Sequence, residues 1–495
     1  MGTVFERLGR SLFVDGAFVP SARGIAEAVI NPASELALGM AAVGDVEDVS
    51  RAVSSARRAF DLGPWSRFSS AQRVAFLEAM RQVLDRRAPE ICALIVAEAG
   101  AVAASVKGRQ FDIPMKHFRR FLELAMRPEV HALPPELTPA PGGGTTLGSA
   151  FVVRAPYGVV AAITPYNYPF FLNLTKIIPA LLTGNTVILK PSPLTPFQAL
   201  VIAEAAQEAG LPPGVLNVVT GDLEVGQALT SDPGIDVVSF TGSDAVGARI
   251  ATQAAPSLKK VVLELGGKSA LVVRHDANLD LALSQALRGF TSHAGQGCAM
   301  NTRVLVHESL HDGFVARLAD MARRVRVGDP ADTASDMGPL ISATARERVE
   351  RYVSSGLASG ARLLAGGHRP AAFHRGFYFE PTLFDQVAPD SPLAQDEIFG
   401  PVGVVMSFRD DDHAVELANH SRYGLRGGII SADLGAAYRM ALRIRTGGVA
   451  LNGGAGTQLS DGPFGGVKHS GYGRELGEEG LAEFTYQKLI EIQAG

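Results

Sequence analysis

Val159-Val160-Ala161-Ala162-Ile163-Thr164-Pro165-Tyr166-Asn167 is the stretch whose reading decides the fold. Its small and branched apolar residues, closed by Thr-Pro, read as a strand buried on both faces that runs into a polar loop. The same rhythm continues downstream. Helix is predicted over about 172–182, strand over 186–189, helix over about 197–209 and strand over 216–219. Helix from about Val225, strand over 237–240 and helix from about Ala245 follow. Short apolar strands alternating with helices predict a parallel sheet covered on both sides, with ligands at the carboxyl ends of its strands. Two polar loops fall there, Thr164-Pro165-Tyr166-Asn167 and Thr241-Gly242-Ser243.

Towards the N-terminus, Phe13-Val14-Asp15-Gly16-Ala17-Phe18-Val19 reads as a hairpin with an Asp-Gly turn. Helices are predicted from Asp45 as N-cap, after Ser70, through Cys92 and through Phe118–Leu124. The prolines and glycines of 133–148 break any helix, and Ala150-Phe151-Val152-Val153-Arg154 is strand-like, so this region predicts a hairpin arm. Beyond Glu264 a second α/β region is predicted. It has helix near 279–290, strand at 304–306, helix near 310–324, strand at 402–406 and helix over about 436–445. The tail Phe484-Thr485-Tyr486-Gln487-Lys488-Leu489-Ile490 alternates like a strand that pairs with the arm, in the same chain or a neighbour.

A chain of 495 residues exceeds one ordinary core. Its 46% hydrophobic and 19% charged residues describe a soluble globular protein. A net charge of −4 gives no case for nucleic acid or an anionic membrane. No apolar run reaches the length of a membrane span, and Met1–Phe13 does not read as a signal peptide, so a cytoplasmic location is expected. Two separated cysteines support neither a disulfide framework nor a zinc site, and no metal is expected. Cys92 lies in an apolar run and reads as core.

Cys298 is different. It ends Gly295-Gln296-Gly297-Cys298, downstream of Glu264-Leu265-Gly266-Gly267-Lys268-Ser269. A thiol among glycines is a candidate nucleophile, and a carboxylate nearby can activate water to release what the sulfur has captured. The Gly-x-Gly-x-x-Gly fingerprint of dinucleotide folds is absent. Gly242 to Gly247 has the wrong spacing, yet it opens a helix, where free N–H groups favour phosphate.

Taken together, ordered segments along nearly the whole chain resemble the aldehyde dehydrogenase superfamily. They are Thr164-Pro165-Tyr166-Asn167-Tyr168-Pro169, Lys190-Pro191-Ser192, Ser239-Phe240-Thr241-Gly242-Ser243, the Glu264 and Cys298 motifs, Glu397-Ile398-Phe399-Gly400-Pro401-Val402 and Pro463–Gly471. The resemblance implies an α/β fold with three parts. A Rossmann-type NAD(P)-binding domain covers 1–132 and 154–262, a catalytic domain 263–477, and a β oligomerisation arm 133–153 and 478–495.

It also implies roles. Cys298 attacks the aldehyde; the Asn167 amide and the Cys298 N–H form the oxyanion hole; a hydride leaves for NAD or NADP; and Glu264 activates water against the thioester. Lys176 matches a family lysine near the site. Lys190 is implied at the adenosine ribose, Gly242 and Ser243 at the pyrophosphate, Glu397 at the nicotinamide ribose and Phe399 beside the ring. Thr164, Pro165, Tyr166, Ser192, Pro193, Phe240, Thr241 and Leu265 complete the implied cofactor set. Tyr166 and Tyr168 stand where the family often has tryptophan and phenylalanine. Pro193 stands where many NAD-preferring members have glutamate, which leaves NAD and NADP both open.

Glu264 counts against a CoA-acylating member of the family. A thiol hydrolase with His293 as base to Cys298 leaves the nucleotide motifs unexplained. A non-catalytic binding protein leaves Cys298, Glu264 and Asn167 unexplained. The substrate is expected to be an uncharged, apolar or aromatic aldehyde. Tyr168, Phe170, Phe171, Leu172 and Leu174 follow Asn167, and Gly456–Asp461 carries no Lys or Arg to pair a carboxylate. A homodimer or homotetramer is expected, because the arm and the tail leave exposed strand edges in a monomer.

Overall fold

The computed structural model describes residues 3–127, 130–140, 142–454 and 456–493. Pro141 of the expected arm and residues 494–495 of the tail lie outside these. The architecture is α/β, built on two large sheets with parallel centres. In the first, the strand order is Ala17–Val19, Leu12–Val14, Leu216–Val218, Thr186–Lys190, Val159–Ile163, Val237–Thr241, Lys260–Glu264, Gly471–Tyr472. The five from Leu216–Val218 to Lys260–Glu264 run parallel.

Successive side chains of a strand point to opposite faces. Val160 and Ala162 accordingly pack with Leu174, Ile177 and Leu200 of the helices Pro169–Leu182 and Phe197–Glu208. Val159 and Ala161 pack with Val49, Leu229 and Ile250 of the helices Val46–Asp61, Leu223–Ser231 and Asp244–Ala254. Burial on both faces is why the strand has no polar alternation. From Val159–Ile163 the chain steps outward to Thr186–Lys190 and Leu216–Val218. It then returns to the other side for Val237–Thr241 and Lys260–Glu264. The order therefore reverses between Val159–Ile163 and Val237–Thr241, the position where such sheets open a crevice for ligands.

The second sheet runs Arg362–Ala365, Thr382–Asp385, Val402–Phe408, Arg303–His307, Ala270–Val273, Arg426–Ile430, Gly448–Leu451. Only the first of these is antiparallel to its neighbour. In a third sheet, Thr485–Gln493 pairs with Thr145–Pro156 of the same chain, from Thr485 opposite Pro156 to Gln493 opposite Gly148. Val130–Ala132 and Glu136–Pro139 take the other edge of Thr145–Pro156.

The predicted hairpin turns at Asp15-Gly16, both with positive φ, as a tight turn between right-twisted strands requires. Asp45 caps its helix with a capping box. Some expectations shift. The helix placed at 172 begins at Pro169, because proline is pre-shaped for the first helical position. The helix expected to reach 445 ends at Ala441. Cys92 is half-buried at the edge of the core, not within it. The strands Ala270–Val273 and Arg426–Ile430 and the helix Ala343–Ala358 were not anticipated. No described helix is long and apolar enough to cross a membrane.

Candidate active site

Carboxyl ends of the first sheet's strands meet segments that enter the second sheet. Thr241 lies opposite Glu264 on adjacent strands, both at the end of the sheet. The chain then turns through Gly266-Gly267 into Ala270–Val273. Cys298 lies just before Arg303–His307, and Glu397 just before Val402–Phe408. The turn is tight. A Cβ on Gly267 would stand 2.3 Å from the Cys298 carbonyl oxygen, and one on Gly266 would stand 2.4 Å from Glu397 Oε2. That close approach is the physical reason for the paired glycines after Glu264.

Asn167 is buried, and its Nδ2 donates to the Gln296 carbonyl at 3.0 Å. This ties the loop after Val159–Ile163 to the turn that carries Cys298. The Cys298 thiol is pushed well up from its ordinary range, first by burial and then by Glu397, Glu264 and Glu475. Glu264 is buried, and neither carboxylate oxygen is hydrogen-bonded among the described residues. Its carboxyl is pushed well above the usual range, by burial and by Glu475, with Lys176 and Arg474 pulling the other way. Lys176 Nζ lies 2.5 Å from Glu475 Oε1 and 3.1 Å from Ser239 Oγ, fully buried.

At the other end of the crevice, Lys190 Nζ donates to the carbonyls of Gly221 at 2.8 Å and Pro191 at 3.4 Å. Burial, only partly offset by Asp222, pushes Lys190 down to about 8. Ser243 caps the helix Asp244–Ala254, accepting from the Val246 N–H, while the buried Thr241 hydroxyl has no partner among the described residues. Ser192 is partly exposed and Pro193 exposed on the loop beyond Lys190. Glu397 Oε1 accepts from the Gly267 N–H at 3.0 Å, and burial pushes its carboxyl up to about 7. Phe399 stands edge-on to Tyr166 with 6.0 Å between centroids.

Three of the named residues turn their side chains elsewhere. Thr164 donates to Asn173 Oδ1 at 2.7 Å. Phe240 packs in the core beneath Gly242, where a Cβ would lie 2.3 Å from its ring. Leu265 packs against Gly247. Pro165 is partly exposed at the mouth of its loop. His293, the base of the competing hydrolase reading, is pushed by burial down to about 4, and its ring lies 5.4 Å from that of Tyr168. So weak a base is poorly matched to a thiol pushed upward.

Two neighbours escaped the sequence reading. Glu475 lies just past the Pro463–Gly471 motif, yet nothing local marks it as the partner of Lys176. Arg348 donates to the Phe399 carbonyl at 3.3 Å and lies over the Phe399 ring at 6.0 Å, from a helix that was itself not predicted.

The model of the aldehyde dehydrogenase family matches residues 18–490. Betaine aldehyde dehydrogenase of Bacillus subtilis is 36% identical over 492 residues, 98% of this chain and 97% of the relative. The 3-succinoylsemialdehyde-pyridine dehydrogenase of a Pseudomonas species is 38% identical over 97% of this chain and 98% of its own length. A crystal structure of Staphylococcus aureus betaine aldehyde dehydrogenase in complex with NAD+ superposes with a TM-score of 0.94 at 34% identity, covering 99% of this chain and 95% of that one. With the fold, the ordered motifs and these relatives in agreement over nearly its full length, the chain belongs to the aldehyde dehydrogenase family.

Proposed function

We propose that this chain is a hydrolytic, NAD(P)-dependent aldehyde dehydrogenase that turns an aldehyde into a carboxylic acid through a thioester on Cys298. The observation that carries the reading is the convergence of Asn167, Cys298 and Glu264 at the junction of the two sheets.

The crevice fits a dinucleotide. Among the described residues, buried Lys190 is hydrogen-bonded only to carbonyls and the Thr241 hydroxyl is unpartnered, and the Ser243-capped helix begins beside them. Lys190 and Ser192 would hold the adenosine ribose, Gly242 and Ser243 the pyrophosphate, and Glu397 the nicotinamide ribose. When bound, NAD(P)+ supplies the hydride acceptor and a positive ring that favours the thiolate.

The Cys298 thiolate adds to the aldehyde carbon, and the carbonyl oxygen becomes an alkoxide. A side-chain amide has two N–H groups. Gln296 engages Asn167 Nδ2 and so orients the amide, whose other N–H is available to the alkoxide together with the Cys298 backbone N–H. As the carbonyl re-forms, the carbon loses its hydrogen as hydride and remains as a thioester on Cys298. Glu264 then takes a proton from water, the resulting hydroxide attacks the thioester, and acid and free thiol separate. A carboxyl raised by burial is a stronger base for this task than an exposed one. Lys176 and Glu475 are positioning residues that set the field at Glu264.

The part of the substrate next to the sulfur is proposed to be apolar, along Tyr168. Phe170 and Leu174, also named for that wall, instead face the core. Among the described residues Thr485–Gln493 leaves its outer edge unpaired, with Leu489, Ile490 and Ile492 exposed, which supports the arm as a subunit interface in a homodimer or homotetramer. Light scattering that gives a monomer mass at micromolar concentration would remove that part.

The test is absorbance of reduced cofactor with an aldehyde panel, with and without CoA, in wild type and Cys298→Ala. Turnover without CoA, carboxylic acid as product and loss of both in Cys298→Ala are expected. Sustained turnover in Cys298→Ala overturns the mechanism.

A further inference from the structure

A cavity of about 490 Å³ opens beside Tyr168 and His293. Tyr168 follows Asn167, whose amide is bonded to the Gln296 carbonyl, and His293 lies in the turn Ser292–Gly295 that leads to Cys298, so the cavity adjoins the segments that carry the proposed nucleophile and its oxyanion donor. Three guanidinium groups line it. Arg109 comes from the helical turn Val106–Asp112, Arg288 from the helix Leu279–Thr291 and Arg324 from the end of the helix His311–Arg323. All three are exposed, and none takes part in an ion pair among the described residues. The one carboxylate on the wall, Asp336, is already engaged by Arg326, at 3.1 Å to each of its oxygens. Between the arginines the wall mixes apolar Leu287, Met321 and Val325 with the polar Ser105, Gln110, Thr291 and Ser292.

Three arginines drawn from three separate elements to one cavity, none in an ion pair among the described residues, form a cationic rim that attracts an anion. Arginine presents a planar fork matched to a carboxylate. A cationic aldehyde meets the opposite situation. Quaternary ammonium groups are recognised by cages of aromatic rings. Here Tyr168 is the aromatic wall beside His293, and the chain's one tryptophan, Trp65, is fully buried against Phe68 and Phe76 elsewhere.

Resting on the dehydrogenase reading above, we infer that the substrate is an aldehyde with an apolar body and a carboxylate at its far end, which Arg109, Arg288 and Arg324 receive at the mouth of the cavity. This revises the expectation of an uncharged substrate: the charge partners lie outside the Gly456–Asp461 stretch in which they were sought.

The experiment compares kcat/KM for adipic semialdehyde, hexanal and betaine aldehyde in wild type and in the triple variant Arg109→Gln, Arg288→Gln, Arg324→Gln, with each single variant as a folding control. Calorimetric binding of adipate to each protein is the second readout. Wild type is expected to prefer adipic semialdehyde to hexanal, with betaine aldehyde poorest. In the triple variant the ratio of adipic semialdehyde to hexanal should fall by roughly ten- to hundredfold, the worth of one or two charge-assisted bonds, and adipate binding should weaken with it. A wild-type preference for hexanal or betaine aldehyde, or a ratio unmoved by the triple variant, overturns the inference and leaves aldehyde oxidation standing. If no aldehyde is oxidised, arginine-dependent adipate binding still supports the anion site while the dehydrogenase reading falls. Absence of both overturns both.

Discussion

Lys176 and Glu475 form an ion pair of 2.5 Å, buried beside the carboxylate of Glu264 and joined across 299 residues of chain. Replacing Lys176 by Met leaves Glu475 charged and unpaired in that interior. Breaking a buried pair on one side costs about 3–5 kcal/mol. The same change removes the cation that pulls the Glu264 carboxyl down, so its pKa rises further. In the proposed mechanism, deacylation needs Glu264 ionised. The alkaline rise of thioester hydrolysis in Lys176→Met should therefore move to higher pH, alongside a lower melting temperature. A lower melting temperature with an unmoved pH profile means that the pair is structural only.

Glu264→Gln separates the two halves of the reaction. An amide cannot accept the proton of water, whereas hydride loss in the proposed mechanism needs Cys298 and Asn167. Stopped-flow should show a burst of reduced cofactor close to one per active site, then turnover slowed by about two to four powers of ten. Disappearance of the burst, with Cys298 still alkylatable, would show that Glu264 acts earlier.

Pro193 is exposed on the loop beyond Lys190 and carries no charge towards an adenosine 2′-phosphate. A glutamate there would oppose that phosphate by roughly 4 kcal/mol at 4 Å and an effective dielectric of about 20, before screening. Wild type should use NAD and NADP within about two powers of ten in kcat/KM, and Pro193→Glu should shift towards NAD by up to about a thousandfold. A wild type that excludes NADP as strongly as the variant does would place the discrimination on another group.

Glu98 is fully buried, accepts from the Phe197 N–H at 2.9 Å, and is pushed by burial up to about 8. Its folded pKa is raised above its unfolded value of about 4.3. The unfolded chain therefore releases the proton first, and the contribution of Glu98 to stability is full below that value and declines as pH rises towards 8. At about 1.4 kcal/mol per unit the total is on the order of a few kcal/mol. Melting curves between pH about 5 and 8 should slope downward in wild type and more shallowly in Glu98→Gln. Equal slopes would mean that Glu98 is ionised in the folded protein.

Local pattern carried far where one face or both faces of an element are buried. Val159–Ile163 and Val237–Thr241 were legible because burial on both sides leaves an unbroken apolar run. Asp45 was legible because capping is chemistry among near neighbours. The arm was harder. Glu136–Pro139 is exposed along its whole length, so no apolar alternation marks it, and Pro139 is tolerated because it lies on an outer strand. The strand Arg426–Ile430 begins Arg-Gly-Gly, which has little strand preference of its own and is held by parallel neighbours on both sides.

By itself the sequence determined the α/β rhythm and the family, and it singled out Cys298 and Glu264 as candidate nucleophile and base, since these reside in residue identity and order. Only the tertiary structure decided that Glu475 reaches Lys176, that burial lifts Glu264 and lowers Lys190, and that Arg109, Arg288 and Arg324 face one cavity. Charge and solvent exposure act through distance in space, and that distance exists only once the sheets have brought remote segments together.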